Sequence, residues 1–498
     1  MTKRASVAGL LIAITICALT MSGCQQVKTL IVTRPSEKMP RYKPVSELYY
    51  PDQQWSVAQR QWFYHAGQGT ELLPYKWFMA LEQPRLKLFG TVPKFRDTAY
   101  LARFGFLPDP QSVDGLPVGF AKDTITDPNS GETIEVIGLT CSACHTGQLE
   151  YNGKGIRIDG GQANVDLASF QTELGYAVGF ADKIPFRFDR FAKVVLGENA
   201  SANAKRKLRQ EFEAFLQKGL DEKNEADNRR LYAAAGGFGR TDALARIGNF
   251  VFGTELNNSN LRVANAPVSF PPLWYAPWFD WVQYNASIEQ PMVRNVGEAL
   301  GVRAQVNLTD PSKLFRSTVN VKSLHEIETL LAGPAPFAGL GRPAWPEQIL
   351  GPIDRAKTEK GKEIYQHRCQ GCHLPQLDSA DIQATNSPYW RDGLQGHRFL
   401  HVNVIPLEKI GTDPNAATDW NQRTAKTGAL GLGPVSAADG LRIVTRNVAD
   451  AKYDQLGLSP DQRIEWNGFR DDRVLAPLSY KARPLAGIWA TAPYLHNG

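Results

Sequence analysis

Two five-residue motifs constrain this chain more than any other feature: Cys141-Ser-Ala-Cys144-His145 and Cys369-Gln-Gly-Cys372-His373. At the chain's own Cys and His frequencies, one Cys-x-x-Cys-His match is expected by chance roughly 0.001 times in 498 residues. The pattern is the attachment signature of a c-type haem. Two thiols on one turn of backbone add across the two vinyl groups of a porphyrin, and the adjacent imidazole reaches the iron as its proximal ligand. A four-cysteine zinc site would use pairs closer in sequence, whereas these lie more than two hundred residues apart. A thiol redox pair does not need the histidine and does not come twice. Two covalently bound c-type haems are therefore expected, with His145 and His373 as iron ligands.

The other two cysteines are Cys17 and Cys24, so none remains for a structural disulfide. Lys3 and Arg4 open the chain, an apolar run follows from Ala5 to about Leu19, and Met21-Ser22-Gly23-Cys24 comes next. The run is shorter than the ~20 residues that span a bilayer, so residues 1–23 read as a signal peptide. Ser22-Gly23-Cys24 resembles a bacterial lipobox, although Met21 stands where Leu is usual. A lipid anchor at Cys24 and a soluble periplasmic product both stay open. Gln25 after the Cys resembles lipoproteins sent to the outer membrane of Gram-negative bacteria rather than kept on the inner one, and no transmembrane segment is expected beyond Cys24.

The net charge of +6 is mild for this length and gives no reason to expect nucleic acid as a partner. The length suggests two or three domains. Residues 24–60 are polar and rich in Pro and Lys and read as a tether. An N-terminal haem domain with a large insertion is expected over 61–345 and a C-terminal cytochrome c domain over 346–498. The boundary between them falls in the Gly- and Pro-dense stretch Ala332–Pro352. Thr133–Leu139 is β-branched and predicts a strand leading into the first motif. Leu208, Phe212, Phe215 and Leu216 recur at helical spacing within Asn203–Lys218. Arg355–Arg368 predicts a helix leading into Cys369. The expected fold is mainly α with irregular segments and few short strands, built as two class I cytochrome c-like haem domains.

An open iron position binds peroxide or dioxygen, while a six-coordinate haem passes electrons. None of the five Met residues follows the second motif, so a His/Met iron is not available within residues 374–498. His397, His401 and His496 remain as candidates there, each also readable as an ordinary packed or surface histidine. His65 is the upstream candidate for the first iron, whose expected state is nevertheless open.

Several longer segments then carry a family likeness: Gly138 to Gln148, Arg294-Asn-Val-Gly-Glu-Ala-Leu-Gly301, Ile410-Gly-Thr-Asp-Pro414, and Tyr480 to the final His496-Asn-Gly498. The chain resembles the bacterial di-haem cytochrome c peroxidase superfamily and, within it, the rubber-oxygenase-type branch. The resemblance implies a catalytic N-terminal haem and a C-terminal haem that relays electrons from a small donor protein. Hydrogen peroxide or dioxygen would be the small-molecule partner. It also implies an acid and an amide over the catalytic iron. Trp281, Gln290 and Glu298 fall in the corresponding order, with a shorter Gln290-to-Glu298 spacing than in the peroxidases. Trp274, Trp278, Phe279, Trp281 and Tyr284 could line that site, bridge the haems, or form plain core. The chain ends where such proteins usually continue, which suggests an incomplete C-terminus whose missing part supplies a ligand to the second iron. A non-catalytic electron carrier and a polyisoprene-cleaving dioxygenase are the alternative functions.

Overall fold

The computed structural model describes residues 34–85, 91–384 and 386–498. The expected signal peptide, Cys24 and Gln25 lie outside them. Two units are distinguished. In the first, which ends at Arg41, the described residues carry a short helix, Pro35–Lys38. The second runs from Tyr42 to Gly498 and contains everything that follows.

β-Branched and apolar residues build two small three-stranded sheets. In one, Thr133–Leu139 lies between Leu73–Pro74 and Phe120–Thr126, antiparallel to both. In the other, Lys154–Asp159 pairs antiparallel with Thr146–Tyr151 and parallel with Glu47–Tyr49. The first Cys motif is the connection from one sheet to the other. The tether expected over 24–60 therefore ends sooner than its composition suggested: Glu47–Tyr49 is a strand of the body, and Gln53 and Trp55 are buried. Gln53 explains how a polar segment is held there, since its amide donates to Asp159 O and Gly341 O, both at 2.9 Å.

The helix predicted over Asn203–Lys218 is part of the longer Ala202–Asn228, capped by Ser201. It buries Leu208 and Phe212 and leaves its charged face in solvent. Phe212 packs on Phe191 and Trp77 with ring centroids 4.8 and 5.2 Å apart. Further on, the helix Pro291–Gly301 presents Met292, Val293, Val296, Ala299 and Leu300 to Leu441, Val444 and Val448 of Ala437–Leu456. Residues on both sides of position 345 thus share one apolar core, and the stretch 332–352 is not a break in packing.

The helix Arg355–Arg368 forms as predicted, with Asp354 accepting from Lys357 N at 3.1 Å. None of its residues is buried. Asn403–Pro406 and Ser479–Ala482 pair antiparallel nearby. Among the described residues, no helix is long and apolar enough to cross a membrane.

Candidate haem-attachment sites

Both motifs fold into the same turn. In the first, Cys144 N and His145 N donate to Cys141 O at 3.2 and 3.0 Å; in the second, Cys372 N and His373 N donate to Cys369 O at 3.1 and 2.9 Å. This brings two cysteines and a histidine onto one side of a short helical turn. None of the four motif cysteines is paired in a disulfide.

Each histidine is anchored in the same way. His145 Nδ1 lies 2.8 Å from Pro271 O, and His373 Nδ1 lies 2.8 Å from Arg483 O. A carbonyl only accepts, so Nδ1 carries the proton and Nε2 keeps its lone pair for a metal. Both carbonyls belong to peptide bonds that lead into a proline, Pro272 and Pro484. Burial holds the His145 imidazole down to about 4, so it is neutral at ordinary pH, the form that ligates iron.

The first turn is fixed tightly. Thr140 Oγ1 and Ser142 Oγ donate to Tyr64 O at 3.2 and 2.9 Å, and Thr140 N donates to Gly119 O at 2.9 Å. Gly119 has φ +94°, and a Cβ there would lie 2.3 Å from Ala143 Cα. Around this turn His145, Tyr284, Arg294, Glu298, Lys481 and Arg483 are enclosed by protein, yet each keeps part of its surface accessible. Burial pushes the Cys141 and Cys144 thiols up to about 12. Burial also raises Glu298 above its ordinary value, against the opposing pull of Arg294 and a 3.0 Å hydrogen bond from Gln283 Nε2 to its Oε1.

Lys481 and Arg483 are held by burial down to about 7 and about 10. A buried cation is costly unless an anion meets it. Such cations suit the carboxylates that a haem carries. The thiol pair, the free Nε2 and these cations together fit the cofactor.

The second turn stands in the open. Cys372 is exposed and Cys369 half-buried. Asn403 Nδ2 donates to Cys372 O at 2.8 Å, and Tyr365 OH donates to Leu374 O at 2.6 Å and His373 O at 3.2 Å. Part of the aromatic cluster packs with residues of both turns. Trp274, Phe279 and Leu374 share one apolar core, and Cys141 and Trp281 pack against it.

Comparison with known proteins now bears on the site. A protein of Sinorhizobium fredii described as uncharacterized protein y4iJ is 43% identical over 491 residues, covering 94% of this chain and 82% of the relative. The chain belongs to that protein's family. Residues 479–498 also match a family described as RoxA-like, cytochrome c-like. That match supports the rubber-oxygenase-type branch, c-type haem binding, and a haem-based redox or electron-transfer role. The matched segment contains Arg483, whose carbonyl anchors His373.

The candidate distal histidines differ in what their ring nitrogens meet. His65 spends both ring nitrogens, Nδ1 on Phe120 O at 2.7 Å and Nε2 on Asp109 Oδ2 at 2.9 Å. It has no lone pair to offer and is not a distal ligand in this arrangement. His397 stacks on Phe469 with centroids 3.5 Å apart. His401 gives Nδ1 to Asp280 Oδ2 at 2.6 Å. His496 is buried, stacks on Tyr480 at 4.1 Å, and leaves Nε2 without a hydrogen-bond partner among the described residues. Its carbonyl accepts from Ser269 N at 2.8 Å, two residues before the Pro271 that anchors His145.

Gln290 and Glu298 do not come together. Gln290 is the N-cap of the helix Pro291–Gly301, and Glu298 sits eight residues on, about 12 Å along the axis. The amide beside Glu298 is Gln283, which spacing alone did not reveal. Its backbone at φ +63° is unusual for a residue with a side chain, and the turn that holds it closes through Val282 N to Ile288 O at 2.8 Å.

Proposed function

We propose that this chain is a di-haem c-type cytochrome oxidoreductase of the bacterial periplasm, anchored at the outer membrane through a lipidated Cys24. Electrons from a small donor protein enter at the open second site and pass to the enclosed first site, where hydrogen peroxide or dioxygen reacts. The two haem-bearing regions are read as class I cytochrome c-like, supported by the helix that runs directly into Cys369. The observation that carries the reading is the pair of imidazoles anchored alike through Nδ1 but set in opposite surroundings.

When bound, haem supplies an iron that changes oxidation state and can accept an oxygen ligand. Cys141, Cys144 and His145 would hold the first, and Cys369, Cys372 and His373 the second. Glu298 is the group that holds and moves a proton beside the first site, with a raised affinity for it because of burial. Gln283 orients the carboxyl by donating to Oε1. Arg294 pairs with Glu328, and its charge also acts on Glu298, keeping the ionised form within reach. The apolar core beside Cys141 keeps bulk water out.

Protein matured in a periplasm tests this reading. Two haems per chain by pyridine haemochrome are expected, with one high-spin and one low-spin iron by electron paramagnetic resonance. Two low-spin irons and no reaction with peroxide would leave only the electron-carrier reading. A polyisoprene-cleaving activity is a second reading, supported by the match over residues 479–498; carbonyl products from latex would establish it, and their absence would remove it.

A further inference from the structure

Three hydrogen bonds connect the two iron-binding histidines through one residue. His145 Nδ1 bonds Pro271 O at 2.8 Å. The next carbonyl, Pro272 O, accepts from Arg483 Nη1 at 2.8 Å. The carbonyl of Arg483 itself accepts from His373 Nδ1 at 2.8 Å. Arg483 thus holds the segment that anchors one proximal histidine with its side chain and anchors the other with its backbone.

The local sequence makes this link stiff. Pro271 and Pro272 have fixed φ and no N–H that could compete for the carbonyls. Pro484 biases Arg483 towards extended backbone. Ala482, just before Arg483, pairs with Asn403, and Asn403 in turn binds Cys372 O. The Arg483 guanidinium lies 5.9 Å from the centroid of the Trp274 ring, which belongs to the core that packs with residues of both turns.

We infer that Arg483 is a positioning residue that couples the proximal ligands of both haems, so that a change there alters the reduction potentials of the two together. The inference rests on the di-haem reading above. The Arg483 guanidinium sits on Pro272 O beside the His145 anchor, and a positive charge near a haem iron would favour its reduced, less positive state. The hydrogen bond on each Nδ1 sets how strongly its imidazole donates to the metal.

The test is a spectroelectrochemical titration of matured wild-type protein, Arg483→Met and Arg483→Lys, each with its haem count. Arg483→Met is expected to retain two haems and to lower both midpoint potentials. Arg483→Lys keeps the charge and one donor, and both potentials are expected to move in the same direction by less. It also serves as the readout if Arg483→Met does not mature. A purely structural role for Arg483 would lower the melting temperature and leave the potentials where they are. Two haems with a shift at one site only, or at neither, overturns the link alone. Fewer than two haems in the wild-type chain overturns the di-haem reading beneath it.

Discussion

The first and second Cys-x-x-Cys-His turns share their backbone hydrogen bonds and their Nδ1-to-carbonyl anchors, and they differ in almost everything around them. The first joins two sheets, is gripped by Tyr64 O, and lies among groups whose charges burial disfavours, Glu298, Lys481 and Arg483. The second follows a helix with no buried residue and leaves Cys372 in solvent. The motif therefore determines what is bound, and the surroundings determine what the bound group can do. An enclosed site with a protonatable carboxyl suits chemistry on a small molecule. An exposed one suits electron exchange with another protein.

Removing each attachment in turn should break the symmetry most visibly. Cys141→Ala/Cys144→Ala and Cys369→Ala/Cys372→Ala are each expected to leave one haem by pyridine haemochrome. Loss of the first would also remove the haem carboxylates available to the partly buried Lys481 and Arg483, leaving two cations that burial already disfavours. Circular-dichroism melts should show a large fall in melting temperature for the first pair and a small one for the second. Equal falls would mean that the first site is not the enclosed one in solution.

Glu298→Gln sharpens the contrast in reactivity. The amide fills the same space and cannot move a proton. The bimolecular rate with peroxide is expected to fall by roughly 10²–10⁴-fold. The reduction potential of the second haem should stay unchanged, because Glu298 belongs to the first site. A stopped-flow rate within twofold of wild type would remove Glu298 from the proton path.

Gly119, packed on the first turn, and Gly371, within the second, differ in the same sense. Gly119 has φ +94° and no room for a Cβ, whereas a Cβ at Gly371 would meet nothing within 4 Å. Gly119→Ala is expected to cost about 1–3 kcal/mol from backbone strain, with further loss from the clash and reduced occupancy of the first haem. Gly371→Ala should remain within about 0.5 kcal/mol of wild type. Urea titrations with a haem count at each site check both.

How far the sequence reveals this contrast follows from the range of each signal. Thr133–Leu139 and Arg355–Arg368 were legible because strand and helix periodicity are local. The cysteines and proximal histidines were legible because their chemistry demands contiguous residues. The anchors Pro271 and Arg483 were not, since they lie 126 and 110 positions from the histidines they hold. Gln283 was missed for a related reason: a tight turn, rather than helical spacing, carries it to Glu298. The expected tether over 24–60 was misjudged from composition, because Gln53 is polar but satisfied by buried carbonyls. His65 looked available as a ligand because sequence does not show that Asp109 takes its Nε2.

That last pair offers the smallest and most local distinction between the two sites. His65 ends the helix Val57–His65, next to the Tyr64 whose carbonyl holds Thr140 and Ser142. Burial alone would lower the His65 pKa, but the bonds to Asp109 and Phe120 O outweigh it and raise it above 6.5. Burial would raise Asp109, and the bond from His65 outweighs that, lowering it below 3.8. A histidine held above its unfolded value stabilises the fold below that value and loses the contribution as pH rises through the folded one. A carboxylate held below its unfolded value stabilises the fold above that value and loses the contribution as pH falls through the folded one. The pair therefore contributes most between about 3.8 and 6.5. Its partly exposed histidine limits the effect to under about 1 kcal/mol. His65→Gln is expected to flatten the decline in melting temperature as pH rises above 6.5 and to loosen the first turn only. A flattened profile accompanied by altered exchange of the amides of Cys372 and His373 would mean that the two sites are not separated as their surroundings imply.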